Sequence, residues 1–202
     1  MGKRGPYAKG LARREEIVAR GLEVIAAEGY SGASVHRIAS AAGLSKTGLL
    51  HHFDSKEQLF TEILRKRDEV DDPGLDELSA QLADLESAYV RIVQRNADIP
   101  GLVELFTRLS IEAADPEHPA HEFFSRRDRD LGERVARTIE RATADSGRLP
   151  ASAKTMALLL LAATDGLQLR WLRDPELDMA GTLTVLFELF EHAIADGAAR
   201  PE

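Results

Sequence analysis

The side chains best placed to do chemistry lie between Ser34 and Phe53, in the run SVHRIASAAGLSKTGLLHHF. The chemistry they suit is recognition of nucleic acid. Reading a base in the major groove needs side chains that hydrogen-bond to, or touch, its exposed edge. Lys46, Thr47, Gly48 and His51 fall close together and supply that mixture. Lys46 brings charge, Thr47 can meet a phosphate or a thymine methyl, Gly48 permits close backbone approach, and His51 donates or accepts. His52 beside them can contact phosphate. Ser34, Val35 and His36 open the preceding segment and offer backbone N–H groups to the DNA backbone, with Arg37 adding charge. Lys56 sits where a later helix should begin. A helix N-terminus with a lysine beside it is a ready phosphate clamp.

Two short helices and a tight turn must position these groups. Val35, Ile38, Ala39 and Ala42 recur at helical spacing behind Ser34, a good N-cap. Gly43 stops that helix, because the residue after a helix end often takes a left-handed conformation that glycine adopts cheaply. Ser45 can cap a second helix over Lys46–His52, from which Leu49 and Phe53, four residues apart, turn back into a core. Two helices joined by a short glycine-containing turn form the helix-turn-helix pattern. A first helix over about Leu11–Glu28 precedes it, with Ile17, Leu22, Ile25 and Ala26 on one face and Gly29 at its end. Ser55-Lys56-Glu57-Gln58 reads as a capping box opening a fourth helix that runs to about Val70.

The stretch from Gly29 to Phe60 resembles the DNA-binding domain of the TetR family of transcriptional regulators. The resemblance rests on Gly29-Tyr30, Ile38-Ala39, Ala42-Gly43, Ser45-Lys46, His52-Phe53 and Ser55-Lys56-Glu57. It covers about the first third of the chain. Beyond it, the resemblance extends to helix layout and the segments Asp165-Gly166-Leu167 and Trp171-Leu172. Leu50 departs from the pattern, standing where the family usually carries a tyrosine that often contacts the DNA backbone. The resemblance implies a homodimer on a near-palindromic, double-stranded operator. It also implies a small-molecule effector that changes the spacing of the two DNA-binding heads.

Composition agrees with that division of labour. The chain has 202 residues and a formal net charge of −8, which taken whole disfavours nucleic acid. Residues 1–67 carry 12 Lys and Arg against 7 Asp and Glu, whereas residues 68–202 carry 14 against 27. A basic head on an acidic body is expected when only one part meets phosphates. Aromatics are scarce and hydrophobics are largely Ala and Leu, which favours an all-α chain, about nine helices in total. With no cysteine, disulfides, thiolate metal sites and a cysteine nucleophile are excluded, which fits a reducing cytoplasm. The N-terminus has no apolar run of a signal peptide, and the longest apolar block, 156–163, is too short to cross a bilayer.

The domain reading is a flexible basic arm over 1–10, able to follow a minor groove, a DNA-binding domain over 11–70, and an effector-binding and dimerisation domain over 75–197. Asp71-Asp72-Pro73-Gly74 marks the boundary, and a stripe of Leu78, Leu82, Leu85, Tyr89 and Ile92 resumes the helical pattern from Leu75. Helices follow over about 102–113, 121–144, 152–172 and 179–195. Phe106, Phe123, Phe124 and Trp171, with polar Asp165 and Gln168, could line an effector cavity between helices or belong to plain core. The last two helices are apolar around much of their circumference, so they need partners on two sides. A second copy of the pair would supply one through Met156, Leu160, Ala163, Leu167, Leu183, Leu186, Phe187, Phe190 and Ile194, giving a four-helix interface. Central burial in one chain is the alternative.

Catalytic patterns are weak. His118-Pro119-Ala120-His121-Glu122 has the wrong order for the HExxH zinc motif, and Pro119 breaks the helix such a site needs. No glycine-rich phosphate loop or GxSxG elbow is present. The expectation is a ligand-responsive repressor that is not an enzyme and needs no cofactor or metal. An activator on the same fold, or a small-molecule-binding helical protein without a DNA role, is the alternative.

Overall fold

The structure, a computed structural model, describes residues 6–71, 81–144 and 151–198. Lys3 and Arg4 of the expected arm, the Asp72-Pro73-Gly74 break, the helix start at Leu75 with Leu78, and the break at Gly147–Pro150 lie outside the described residues. Those described form nine α-helices and no strand. They divide into two compact units, one from residues 1–71 and 99–124, the other from 72–98 and 125–202.

In the first unit α1 (Pro6–Gly32) is the central helix, meeting α2 (Val35–Ala41), α4 (Lys56–Asp71) and α6 (Pro100–Glu112). It begins five residues before the expected Leu11, at a proline whose fixed φ suits the first helical turn. Gly29 interrupts it with φ +70°, so the straight helix does end at Glu28. Ile17, Ile25, Ile38, Leu49, Phe53, Leu59, Ile63 and Leu64 are buried in one cluster with Leu105, Phe106, Leu109 and Phe124. Each such side chain contributes about 1.5–3 kcal/mol by leaving water. The cluster therefore fixes how the short α2 and α3 (Lys46–Leu50) sit on α1, although neither is long enough to be stable alone.

In the second unit α9 (Met179–Ala198) packs against α5 (Leu82–Asp98) and α8 (Ala153–Trp171), and most of α7 (His121–Ala142) belongs to the same unit. Leu85, Tyr89, Val93, Val135, Ile139, Met156, Leu160, Leu183, Phe187, Phe190 and Ile194 are buried. Six residues expected at a dimer interface, Met156, Leu160, Leu183, Phe187, Phe190 and Ile194, are therefore interior to the chain itself, and that assignment is corrected. The reason is that α9 carries two apolar seams. The Leu183–Phe187–Phe190–Ile194 seam faces inward, while Val185 and Leu189 of the other are 53% and 61% exposed. Ala163, Leu167 and Leu186 remain partly exposed at the edge of that outer face.

Candidate nucleic-acid interface

Local hydrogen bonds set each short helix of the head. Ser34 Oγ accepts from Arg37 N at 3.2 Å and Ser45 Oγ accepts from Gly48 N at 3.0 Å, so both serines act as N-caps. Gly43 turns the chain between them with φ +67°, as a left-handed helix stop requires. The capping box on α4 differs from its expected form by one residue. Gln58 N donates to Ser55 Oγ at 3.0 Å, but Gln58 Oε1 reaches back to accept from Asp54 N at 2.7 Å.

Two arginines of α1 complete the scaffold, and the sequence reading missed both. Arg13 Nη2 donates to the carbonyl of Ala42 at 2.7 Å, at the end of α2. Arg14 Nη1 donates to the carbonyl of His52, just past α3, and its guanidinium lies 4.6 Å from the Phe53 ring centroid. Cations at helix C-termini satisfy terminal carbonyls and oppose the negative end of the dipole. The partners are 29 and 38 residues away in the chain, so no local pattern announces them.

The outer face of this assembly carries most of the expected contacts. Lys46, Thr47, His51 and Lys56 are exposed, and Gly48 and His52 are half-buried. Leu44, Ser45, Thr47, Gly48, Leu50, His51 and His52 line one shallow, open depression. The Lys56 ammonium is held 5.1 Å from the Phe60 ring centroid and 5.9 Å from that of Tyr30, at the start of α4. Ser34 and His36 are exposed, but the Val35 side chain is buried, leaving only its backbone to offer. Arg37 is paired with Glu28, Nε donating to Oε1 at 2.8 Å. Those hydrogen bonds hold the Glu28 carboxyl below its ordinary pKa and raise that of Arg37. Its charge is therefore largely spent within the protein.

The six residues expected around an effector do not form one group within either unit. Phe106, Phe123 and Phe124 belong to the first, with Phe106–Phe124 and Phe123–Phe124 ring centroids 5.3 and 5.1 Å apart. Arg67 and Arg65 cover this cluster, 5.0 Å from Phe106 and 5.6 Å from Phe123. Asp165, Gln168 and Trp171 belong to the second unit. Gln168 is buried and accepts from Asn96 Nδ2 at 2.8 Å, tying α5 to α8. Asp165 lines a groove of about 480 Å³ between α7 and α8, with Arg127, Lys154, Leu131, Leu158 and Leu161.

Tyr89 stands apart in the second unit. It is 2% exposed and its hydroxyl has no hydrogen-bond partner. Burial pushes its pKa well up, so it stays protonated. An unpaired buried hydroxyl costs about 1–3 kcal/mol. Tyr89→Phe keeps the ring and is expected to raise the unfolding free energy by about 1 kcal/mol, read as a higher urea midpoint at unchanged slope. A lower midpoint would show that the hydroxyl is bonded in solution.

The histidines of 118–122 serve the loop between α6 and α7. His118 Nδ1 accepts from Ala120 N at 3.2 Å, and His121 Nδ1 lies 2.9 Å from the Ala113 carbonyl. Among the described residues, no cluster of three or more His, Cys, Asp or Glu could hold a metal, and no helix is long and apolar enough to cross a membrane.

Residues 17–63 match the family model of bacterial regulatory proteins, tetR family. The chain belongs to the TetR family. The HTH-type transcriptional repressor KstR2 of Rhodococcus jostii is 34% identical over 108 residues, which span 54% of this chain and 46% of that protein. The chain thus matches about half the length of this curated relative. Among solved structures, a transcriptional regulator from Rhodococcus sp. Rha1 shares the fold with a TM-score of 0.70 at 23% identity, over 93% of this chain and 99% of that one. Thermus thermophilus FadR, a TetR-family repressor solved with lauroyl-CoA, shares it at 0.63 and 19%, over 94% and 96%. The TetR-like all-α fold thus extends beyond the matched head.

Proposed function

We propose that this chain is a DNA-binding transcriptional regulator, a repressor that grips a near-palindromic operator as a homodimer and is released by a small-molecule effector. The observation that carries the reading is the TetR-type head, whose α3 presents Lys46, Thr47, Leu50 and His51 outward while Ser45 caps it and Arg14 holds its far end. In this reading Lys46 to His52 enter the major groove. Thr47, His52, Lys56 and the backbone N–H groups of Ser34, Val35 and His36 hold phosphates.

The second copy docks on the exposed apolar face of α8 and α9. Ala162, Ala163, Gly166 and Leu167 face a shallow groove with Val185, Leu186 and Leu189. Small residues on one helix and branched ones on the other suit close helix packing about a two-fold axis. Two-fold symmetry of the protein then dictates a palindrome with half-sites about one helical turn, or a multiple of it, apart.

Acyl-CoA thioesters are the effector class we carry over, from the lauroyl-CoA complex of a fold neighbour. The groove with Arg127, Lys154 and Leu161 offers both cationic and apolar walls in support. Such an effector releases DNA only by binding the operator-incompetent conformation more tightly.

Selection of duplexes from a random library, followed by salt titration of the winner, tests the DNA reading. A palindrome with steep salt dependence is expected, and failure to enrich any motif at low salt would sink it. Lys46→Ala and Lys56→Ala should each flatten the slope of log K against log salt by about 1. An unchanged slope removes that lysine from the phosphate contacts. Lauroyl-CoA added to the complex is expected to release the operator, and undisturbed binding at saturating lauroyl-CoA would overturn this effector assignment.

A further inference from the structure

The recognition helix leaves one large apolar side chain outside the core. Leu49 and Phe53 turn inward and are buried, while Leu50 is 37% exposed on the same face as Lys46, Thr47 and His51. Leucine can neither pair with a phosphate nor hydrogen-bond to a base edge. Half-buried Leu44 lies against the same depression, and Gly48 contributes no side chain to it. A Cβ built at Gly48 would stand 3.7 Å from Leu44 Cδ2 and 3.3 Å from Ser45 Oγ. The glycine therefore leaves open the space beside Leu44 that a side chain would fill. The result is an apolar notch about one methyl group wide, set in an otherwise polar surface.

Base pairs offer one apolar group in the major groove, the 5-methyl of thymine. We infer that the Leu44–Gly48–Leu50 notch receives the 5-methyl group of a thymine in each operator half-site, making Leu50 a specificity-determining residue. The inference rests on the operator-binding reading above and adds what that reading leaves open, the role of a leucine on a DNA-facing surface. Phosphate contacts fix register and carry no sequence information. A methyl contact at this position selects a base.

The test uses the full chain and the operator recovered by selection. Each thymine of a half-site is replaced in turn by uracil, which lacks only the methyl. One position per half-site is expected to lose about fourfold in affinity, the equilibrium equivalent of one buried methyl. Leu50→Ala should erase that difference, and because Leu50 is surface-exposed the variant should remain folded. Gly48→Ala should erase it independently by filling the notch. Its φ is not in the left-handed region, and alanine favours the helix by about 1 kcal/mol. An operator with no uracil-sensitive thymine, or a sensitivity that survives both substitutions, overturns the notch while the regulator reading stands. Absence of any selected operator instead removes the regulator reading itself.

Discussion

Gly101→Ala is expected to lower the unfolding free energy by about 3 kcal/mol, the upper end of the range for overpacked sites. Gly101 is buried in the first turn of α6, next to Pro100. A Cβ there would lie 2.7 Å from the Ile25 carbonyl oxygen, 2.8 Å from Gly29 Cα and 3.0 Å from Tyr30 N. All three atoms are backbone, so no rotamer change relieves the clash and α6 must move off α1. Gly21→Ala is the control. There the new Cβ would lie 2.5 Å from Ile63 Cδ1, the far end of a side chain that can turn aside. Its cost is partly offset by the helix preference of alanine over glycine, about 1 kcal/mol. Urea denaturation of the two variants should separate them clearly, and equal losses would refute the backbone-contact account. Function should follow stability. α1 carries Arg13 and Arg14, which hold the ends of α2 and α3. A displaced α1–α6 contact should therefore also weaken operator binding by Gly101→Ala, through a residue remote from the groove-facing surface.

The head was legible because its signals are local. Ser34, Ser45 and Ser55 each cap the helix that follows within three residues, and Gly43 supplies the turn. Arg13 and Arg14 escaped because an arginine near a helix start looks the same whether it meets water or a carbonyl 29 or 38 residues away. The body was harder for a different reason. An amphipathic helix announces its inner face, but α9 has apolar residues on two faces and α8 is apolar nearly all round. Periodicity then says that both sides need cover and cannot say which side the chain covers itself. Phe106, Phe123 and Phe124 show the same limit. Three bulky rings suit a ligand cavity or a core equally, and here they stack on one another under Arg65 and Arg67.

Leu189→Glu is expected to convert the proposed dimer into a folded monomer and to reduce operator affinity at least a hundredfold. Leu189 is 61% exposed beside Val185, so in a single chain the change falls on the surface, where substitutions usually stay within about 0.5 kcal/mol. In a two-fold interface the same change appears in both copies. Each buries a carboxylate without a designed partner, a cost of several kcal/mol per ion. Binding then loses the linkage between half-sites, which multiplies affinity by about 10²–10⁴ when two modules engage one duplex. Sedimentation should report the monomer, circular dichroism an unchanged helix content, and a single half-site duplex an unchanged affinity. Phe187→Ala, on the inward seam, should behave differently. Phe187 is buried within the chain, so its truncation should cost about 3–5 kcal/mol of folding stability. A Leu189→Glu chain that stays dimeric would place the subunit contact elsewhere. A chain that becomes monomeric yet binds the full operator undiminished would show that the palindrome is read without a stable dimer.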